Sequence, residues 1–528
     1  MSRTIVSGRS VAKAKVKASP PNNFALGTSE QIHSRKTPEL VFGLVGPVGA
    51  GVSQTSKSIS SLIQKGYGYE VTVVKVSDII KENKDLASFS EDVPGGGDAR
   101  IQALQEIGSS LRQEFGSEFL AAKCAEFIGV KRAKDGYADE GLDDPTHRRH
   151  VTIIDSLKNE AEVELFRAIY GPAFWLIGIF ASEDIRTKRL RALGVDPTAI
   201  QKIIELDSHE GPEHGQDVRD TFLMSDYFFN NNSNLIDDLD VSIERFLGIV
   251  FANSILTPTE AESGMAAAKQ AGASSSCLSR QVGAVIKNTE GSTIGTGWNE
   301  VPAFGGGVYP KPDKDFRCFK YGNNGCRNDQ HKINLLDEII TLAEKNGVAA
   351  NKKEAFKAEV KKTRLSSLIE FSRSVHAEMA AIIDVARNGL GTLNGSTLYV
   401  TTFPCHNCAR HIIFAGVRKV IYIEPYSKSL ALELHDDALT DMTKQSDVRD
   451  NVTVQLEPFE GVGPSRFYSV FVRTDDIKVK ETGKERIVDP MIILPAEAAN
   501  LDAFSTLEKR VIETLMKLES GGETDGKV

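Results

Sequence analysis

A histidine, a glutamate and two cysteines stand at spacings that suit metal chemistry. His376 is followed two residues later by Glu378, and Cys405 and Cys408 come next in a Pro-Cys-x-x-Cys run. One imidazole and two thiolates fill three corners of a Zn²⁺ tetrahedron and leave the fourth for water. Zinc can lower the pKa of such a water from about 15.7 to roughly 7, and Glu378 is placed to move its proton. The pattern predicts a catalytic zinc site; a closed structural zinc knuckle and a chance cysteine pair are the alternatives.

Two helices are predicted to hold these residues. Apolar residues recur at helical spacing between residues 364 and 388, which places His376 and Glu378 on this helix or at its start. A second helix is predicted over 409–416, with Cys408 in its first turn. The positive partial charge at the start of that helix would favour both cysteines as thiolates.

Strands are predicted on either side of these helices in the sequence. They lie at 282–286, 292–297, 397–401 and 417–423. A strand pair followed by alternating helices and strands is typical of a layered domain with helices on both faces of a sheet. We therefore predict an α/β protein whose C-terminal half is a three-layer α/β/α domain.

Residues 257–475 resemble the cytidine and deoxycytidylate deaminase superfamily, and the deoxycytidylate branch in particular. The motifs that carry the resemblance occur in the family's order: Gln281–Ile286, Gly297–Pro302, His376–Glu378, Pro404–Ala409 and Gly416–Tyr422. The resemblance implies zinc-dependent hydrolytic deamination of free deoxycytidine nucleotides, with Asn299 in contact with the nucleotide. The family commonly has asparagine two residues after the catalytic glutamate, where this chain has Ala380. Recognition of the sugar or base is therefore expected to differ in detail.

A glycine-rich turn in the N-terminal half has the sequence context of a phosphate loop. The buried-strand pattern Leu40–Val45 runs into Gly46–Ser53, and a helix is predicted from Ser53 to Lys65. Backbone N–H groups of such a loop cradle anionic oxygens. The spacing matches the phosphate-loop pattern except that Val52 replaces its lysine. Nucleotide binding is still expected, whereas fast phosphoryl transfer is not.

A second buried strand, Val151–Asp155, ends in an acid suited to Mg²⁺. The residues predicted to bind a nucleotide, together with Mg²⁺, are Gly46, Gly49, Gly51, Ser53 and Asp155. Clustered cations between Arg186 and Arg191 resemble a kinase lid. We predict a P-loop kinase-like parallel-sheet domain with weakened catalysis; an active kinase or NTPase and a purely structural Rossmann-like domain are the alternatives.

The whole architecture resembles the bacterial anti-phage deoxycytidylate deaminases, which join an N-terminal P-loop kinase-like domain to a deaminase domain. The run from Glu424 to Ala431 is similar to theirs. The resemblance implies conversion of dCTP and dCMP to dUTP and dUMP, which depletes deoxycytidine nucleotides during phage infection. A regulatory RNA that restrains the enzyme is a further partner that the resemblance implies, and we also expect a homo-oligomer.

Length and composition limit how many domains the chain can have and where it can be located. Its 528 residues need more than one core. Four parts are predicted: a flexible basic tail at 1–37, the P-loop domain at 38–255, the deaminase domain at 257–475, and an extension at 476–528 whose end is disordered. A transit peptide and an RNA-contacting arm are the alternatives for the tail. Six cysteines and the lack of an apolar run of membrane-spanning length predict a cytoplasmic protein without a membrane anchor.

Further residues are candidates for binding the substrate or a second metal. Three cations are candidates for the substrate phosphates, with an ordinary surface charge as the alternative for each: Arg280, Lys428 and Arg317. Three residues of a Gly/Asn-rich insertion could hold a second zinc with a fourth ligand from elsewhere: Cys318, Cys326 and His331. Free loop thiols are the alternative for that insertion.

Two other functional classes compete with a free-nucleotide deaminase. A polynucleotide or tRNA editing deaminase shares the zinc chemistry but is expected to carry a basic groove and aromatic stacking platforms. The deaminase segment has no obvious cluster of that kind, and a net charge of −9 argues against nonspecific nucleic-acid binding. A P-loop signalling ATPase with a zinc-binding module is disfavoured by the loss of the loop lysine and by the presence of Glu378.

Overall fold

The computed structural model describes most of the chain. The described residues are 35–137, 148–208, 217–232, 236–322, 324–426, 429–442, 453–472, 479, 482, 489–491 and 495–519. The chain divides into two compact units. The first combines residues 1–258 with residues 460–528, and the second spans Thr259–Phe459. None of the described helices is long and apolar enough to cross a membrane.

Strands and helices alternate along much of both units. In chain order the strands are β1 Leu40–Val45, β2 Glu70–Lys75, β3 His150–Leu157, β4 Phe174–Phe180, β5 Tyr227–Asn230, β6 Gly283–Lys287, β7 Thr293–Trp298, β8 Thr397–Thr402, β9 Lys419–Glu424, β10 Leu439–Asp441, β11 Val454–Pro458 and β12 Gly461–Val462. The helices are α1 Val52–Tyr67, α2 Val76–Glu82, α3 Gly97–Phe115, α4 Phe119–Lys134, α5 Glu160–Tyr170, α6 Glu183–Ala192, α7 Pro197–Ser208, α8 Val218–Leu223, α9 Ile236–Val250, α10 Glu260–Gly272, α11 Arg327–Lys345, α12 Lys353–Lys361, α13 Ala377–Asn388, α14 His406–Phe414, α15 Ala431–Leu434, α16 Phe467–Phe471 and α17 Leu501–Glu519.

The first unit is built on a six-stranded sheet with the strand order β12-β5-β4-β1-β3-β2. All neighbouring strands from β5 to β2 pair in parallel. Every residue of β1 is buried, and β3 and β4 are buried at all but one position each. Strands covered on both faces are continuous apolar runs, which is why the sequence of Leu40–Val45 shows no polar alternation. The predicted parallel-sheet class of this half is confirmed.

The first unit is completed by residues that follow the second unit in the sequence. β12 pairs antiparallel with β5, and α17 packs against α4 and α5. Glu508 of α17 is buried in an ion pair with Arg132 of α4. The sequence predicts that the deaminase domain ends at 475 and that a separate extension follows, whereas the structure divides the units between Phe459 and Glu460. A strand of two residues is too short for any periodic pattern, so the sequence does not reveal it.

The second unit is a mixed sheet with helices on both faces, in the strand order β10-β11-β9-β8-β6-β7. β6 is antiparallel to both its neighbours, and the other pairs are parallel. Leu398 and Val400 of β8 join a core that includes α13 and α14. Tyr399 lies against Gly264 of α10, where an added Cβ would come within 2.6 Å of its ring. Because successive strand side chains point to opposite faces, the predicted three-layer α/β/α arrangement is confirmed.

Two glycines let β7 lie very close to α13. A Cβ added at Gly297 would lie 2.2 Å from the carbonyl oxygen of Ala377 and 2.9 Å from the Cβ of Ala380. One added at Gly295 would lie 2.7 Å from the carbonyl oxygen of Ala381. Ala380, where the family commonly has asparagine, therefore lies at a helix–strand contact. This contact fixes the first turns of α13, where two of the predicted site residues lie.

Candidate active site

Three side chains of metal-ligand type meet at the starts of α13 and α14. His376 is the N-cap of α13, Cys405 is the N-cap of α14, and Cys408 lies in the first turn of α14. His376 Nδ1 lies 3.4 Å from Cys405 Sγ and 3.3 Å from Cys408 Sγ. Within the described residues, this is the only group of three or more His, Cys, Asp or Glu side chains close enough to hold one metal ion. An imidazole and two thiol sulfurs are a donor set that fits Zn²⁺.

The ionisation of the two cysteines is set by their neighbours. The hydrogen bond with Cys408, followed by the interactions with His376, lowers the pKa of Cys405 to about 4. The same bond and burial raise the pKa of Cys408. The dipole of α14 also favours negative charge at its N-cap. These interactions favour the thiolate form of Cys405, and metal binding would also have to displace the proton of Cys408 to give a second thiolate.

Glu378 lies in the first turn of α13 and is only 4% exposed. Burial raises the pKa of its carboxyl to about 7, and the charge of Cys405 acts in the same direction. A carboxyl that titrates near neutral pH can accept a proton and return it within one catalytic cycle. The structure brings Glu378 and His376 to one helix start, as the sequence predicts.

Helix α13 begins later than the apolar spacing from residue 364 suggests. Residues 364–367 form a short 3-10 helix. The Val375 N–H donates to the carbonyl oxygen of Glu300 at 3.0 Å, in an isolated β-bridge. That bridge holds the backbone before His376 extended, so the imidazole comes from an N-cap residue and not from within the helix.

Asn299 is buried directly after β7 and is bonded to the turn that precedes β6. Its Oδ1 accepts a hydrogen bond of 2.8 Å from the Val282 N–H, and its Nδ2 donates to the carbonyl oxygen of Arg280 at 2.8 Å. The Arg280 side chain in turn donates from Nη1 to Glu424 Oε1 at 2.7 Å. Two of the predicted substrate-binding residues are thus directly connected. The third, Lys428, lies outside the described residues.

Arg317 is bound within its own loop. Its Nε and Nη2 donate to the two carboxylate oxygens of Asp315 at 2.8 and 2.7 Å. This guanidinium holds the pKa of the Asp315 carboxyl well below its usual range. Because the bidentate pair already uses the face that would bind a phosphate, Arg317 is a weaker candidate than Arg280.

Among the described residues, the three ligands predicted for a second metal do not form one group. Cys318, Cys326 and His331 do not come together as a metal-binding group in the described part of the chain. Cys326 is the N-cap of α11 and His331 lies five residues later, which places the two about 140° apart around the helix. His331 packs beside Phe371, with ring centroids 5.2 Å apart. The helix that starts inside the insertion therefore separates two of the three expected ligands.

The glycine-rich loop of the first unit combines glycines of positive φ with a hydrogen bond to the predicted acid. Gly49 and Gly51 have φ angles of +85° and +89°, a region that favours glycine. A Cβ added at Gly46 would lie 2.7 Å from a carbonyl oxygen of β4. The exposed Ser53 donates from Oγ to Oδ2 of the buried Asp155 at 2.7 Å. The structure thus brings the predicted loop and its predicted acid together.

Three cations contact this loop from other elements. They donate to the carbonyl oxygens of residues 46, 48 and 50: Lys158 Nζ at 3.0 Å, Arg186 Nε at 2.8 Å and Arg189 Nη1 at 3.1 Å. The two arginines belong to the predicted lid. Lys158 directly follows β3, and its contact joins residues 112 positions apart, so only the fold reveals this contact.

Glu300 is a residue of this region that the sequence analysis does not single out. It is 2% exposed, and its Oε2 accepts hydrogen bonds from Ser276 N–H at 2.9 Å and from Ser276 Oγ at 2.5 Å. Its carbonyl oxygen holds Val375, the residue before His376. Glu300 directly follows Asn299 within the motif Gly297–Pro302. An acidic residue in that otherwise uncharged motif is the signal in the sequence that could have identified it.

Several known proteins are similar to parts of this chain. The family described as the cytidine and deoxycytidylate deaminase zinc-binding region matches residues 258–424. The deoxycytidylate deaminase of Enterobacteria phage T4 is 33% identical over 156 residues, which are 29% of this chain and 72% of the phage protein. A UPF0200 protein of Saccharolobus islandicus is 23% identical over 193 residues, 36% of this chain and 84% of that protein. The dCMP deaminase of cyanophage S-TIM5, solved with dCMP and dUMP, covers 39% of this chain and 100% of its own, at 19% identity and a TM-score of 0.23.

Proposed function

Because the chain belongs to the cytidine and deoxycytidylate deaminase family, we propose that it deaminates free deoxycytidine nucleotides, giving dUMP from dCMP and dUTP from dCTP. The observation that carries this proposal is the group formed by His376, Cys405 and Cys408, with the buried Glu378 on the same helix start as the histidine. The family supplies the class of reaction, and the arrangement of these four side chains supplies the groups that the reaction needs.

The side chains of the site divide the chemistry between them. His376, Cys405 and Cys408 would hold Zn²⁺, which when bound supplies a Lewis acid that activates water near neutral pH. Glu378 accepts the proton that this water loses as its oxygen attacks C4 of the cytosine ring. The same carboxyl passes that proton to N3, then takes the proton of the new C4 hydroxyl and gives it to the amino group, so that ammonia leaves and the C4 carbonyl forms. A pKa of about 7 lets Glu378 act in both directions.

A panel of substrates tests the proposed reaction. The zinc-loaded full chain should release ammonia from dCMP and dCTP, because free nucleotides reach the site without the cost of unstacking a base. Cytidine, single-stranded DNA and tRNA complete the panel. Release from a polynucleotide but from neither free nucleotide would favour an editing deaminase instead. No release from any member of the panel would contradict the proposal.

We also propose that the first unit binds a nucleotide together with Mg²⁺. The nucleotide would act as a regulatory ligand and would not donate a phosphate. The observation that favours this is the 2.7 Å hydrogen bond from Ser53 to Asp155, since a loop hydroxyl and an acid at a strand end hold Mg²⁺ in P-loop proteins. Val52, apolar and 8% exposed, takes the place of the lysine that contacts the phosphates. Bound nucleotide would shift the deaminase between less and more active states, with coupling on the order of 5- to 150-fold in affinity.

Ser53→Ala should weaken binding of Mg–ATP to the full chain about tenfold, because the variant loses a metal-ligand hydroxyl. Isothermal titration calorimetry with Mg–ATP measures the affinity. Ser60→Ala, on the same helix α1 and away from the loop, is the matched control and should bind like the wild type. Val52→Lys restores the missing charge and should tighten binding. Equal affinities for the wild type and Ser53→Ala would contradict this site.

The biological part of the proposal rests on the resemblance of the whole architecture. Deamination of dCTP and dCMP during phage infection would deplete the deoxycytidine nucleotides that phage replication uses. A homo-oligomer, a cytoplasmic location and a restraining regulatory RNA belong to the same proposal. The dCTP pool of infected cells should fall with the wild-type chain and stay constant with Glu378→Gln.

A further inference from the structure

Arg280 and Glu424 form an ion pair at the end of the sheet that carries the candidate metal ligands. Glu424 is the last residue of β9, and Thr402, the last residue of β8, lies opposite it in the parallel register. Cys405 follows three residues after Thr402. Ligands of α/β sheets bind at the carboxyl ends of parallel strands. The ion pair therefore lies on the side of the sheet where a substrate is expected.

The two partners of this pair are held unequally. The Glu424 side chain is 9% exposed, and its Oε2 accepts a hydrogen bond of 2.8 Å from Thr402 Oγ1. Its carbonyl oxygen accepts another of 2.8 Å from the Phe403 N–H. The Arg280 side chain is 40% exposed and meets Glu424 through Nη1 at 2.7 Å. The carboxylate is thus fixed by the sheet, whereas the guanidinium is the partner with room to move.

The backbone of Arg280 is anchored although its side chain is exposed. Asn299 Nδ2 donates to the Arg280 carbonyl oxygen at 2.8 Å, and Asn299 itself is 8% exposed. The guanidinium can therefore move by rotation about the side-chain bonds while the backbone of Arg280 stays in place. Arg317, the other described candidate for the phosphates, has both its Nε and its Nη2 bound to Asp315. Arg280 is the better placed of the two to exchange partners.

We propose that Glu424 retains Arg280 beside the site until the phosphate of a substrate nucleotide displaces it. The inference rests on the proposed function and names the residue that selects phosphorylated substrates. A phosphate offers two oxygens to the planar guanidinium and carries more negative charge than one carboxylate, so it competes successfully for Arg280. Deoxycytidine has no phosphate and cannot compete. Glu424 thus sets how strongly a phosphate must bind before Arg280 changes partner.

Steady-state kinetics of the zinc-loaded full chain test this exchange, with dCMP and deoxycytidine as substrates. Arg280→Ala should lower the ratio of kcat/KM for dCMP to that for deoxycytidine about tenfold or more, because a charge-assisted bidentate contact is lost. Glu424→Gln should lower the KM for dCMP about threefold, since its amide oxygen still accepts from Thr402 but no longer competes as a charge. Arg364→Ala, which removes an exposed arginine elsewhere in the second unit, is the matched control and should leave the ratio unchanged.

The outcomes separate this inference from the function on which it rests. Failure of the wild-type chain on both substrates would overturn the proposed function and this inference with it. A normal wild type with an unchanged ratio in Arg280→Ala would overturn the inference alone. A higher KM for dCMP in Glu424→Gln would also overturn it, because Glu424 would then position Arg280 for the phosphate instead of withholding it. Zinc content close to that of the wild type in every variant shows that the site has folded.

Discussion

Replacing Glu378 with glutamine should lower the turnover of dCMP and dCTP by about 10²–10⁴ or more. The amide has nearly the same shape as the carboxyl, so the packing at the start of α13 is kept. It cannot accept a proton from water or pass one to N3 and the amino group. The measurement is ammonia release per zinc, with zinc determined on the same sample, because a true loss of proton transfer leaves the metal in place.

Glu338→Gln is the matched control for this variant. Glu338 is an exposed residue of α11 in the same unit, so the substitution makes the same chemical change without entering the site. It should retain wild-type turnover. Wild-type turnover in Glu378→Gln with a full complement of zinc would refute the assignment of Glu378 as the proton carrier.

Alanine at any one of His376, Cys405 or Cys408 should abolish activity together with bound zinc. Three protein ligands are the usual set for a catalytic zinc site, and two cannot hold the ion in the same geometry. Elemental analysis of the purified variants should show zinc falling in step with activity. Wild-type chain should carry about one zinc, since a second structural site would need four ligands of its own.

Cys326→Ser is the control that separates a ligand cysteine from other cysteines. Cys326 is the N-cap residue of α11 and contacts Ser279, and it does not belong to the group of His376 and the two site cysteines. This variant should keep both its zinc and its activity. A wild-type count of about two zincs, with one lost in Cys326→Ser, would show that the insertion does bind metal after all.

The candidate metal site could be predicted because its information is local. The ligand types and their spacing occupy two short stretches, and each stretch lies at the start of a helix, α13 or α14. The same holds for the glycine-rich loop, where a buried strand, glycines with positive φ and a following helix are contiguous. The conformation of a short continuous segment of this kind depends mainly on its own residues, so it can be predicted without knowing the rest of the fold.

Contacts between distant parts of the chain could not be predicted in this way. Glu424 meets Arg280 across 144 positions and Lys158 meets the loop across 112, and no local pattern encodes either pairing. The insertion is the reverse case. Cys318, Cys326 and His331 are close in sequence, yet a helix that begins at Arg327 directs the last two to different sides. Nearness along the chain predicts a metal site only when the intervening backbone allows the side chains to converge.

The division of the first unit between two distant stretches affects how the protein can fold while it is being translated. Residues 1–258 leave the ribosome long before β12 and α17 do, and domains generally fold in the order of synthesis. Until β12 arrives, β5 has an unpaired edge, and such edges can pair with other chains. Until α17 arrives, Arg132 lacks the buried carboxylate of Glu508. The second unit is continuous, from Thr259 to Phe459, so it can finish folding first, and the nascent N-terminal half is the part of the chain that most needs protection by chaperones.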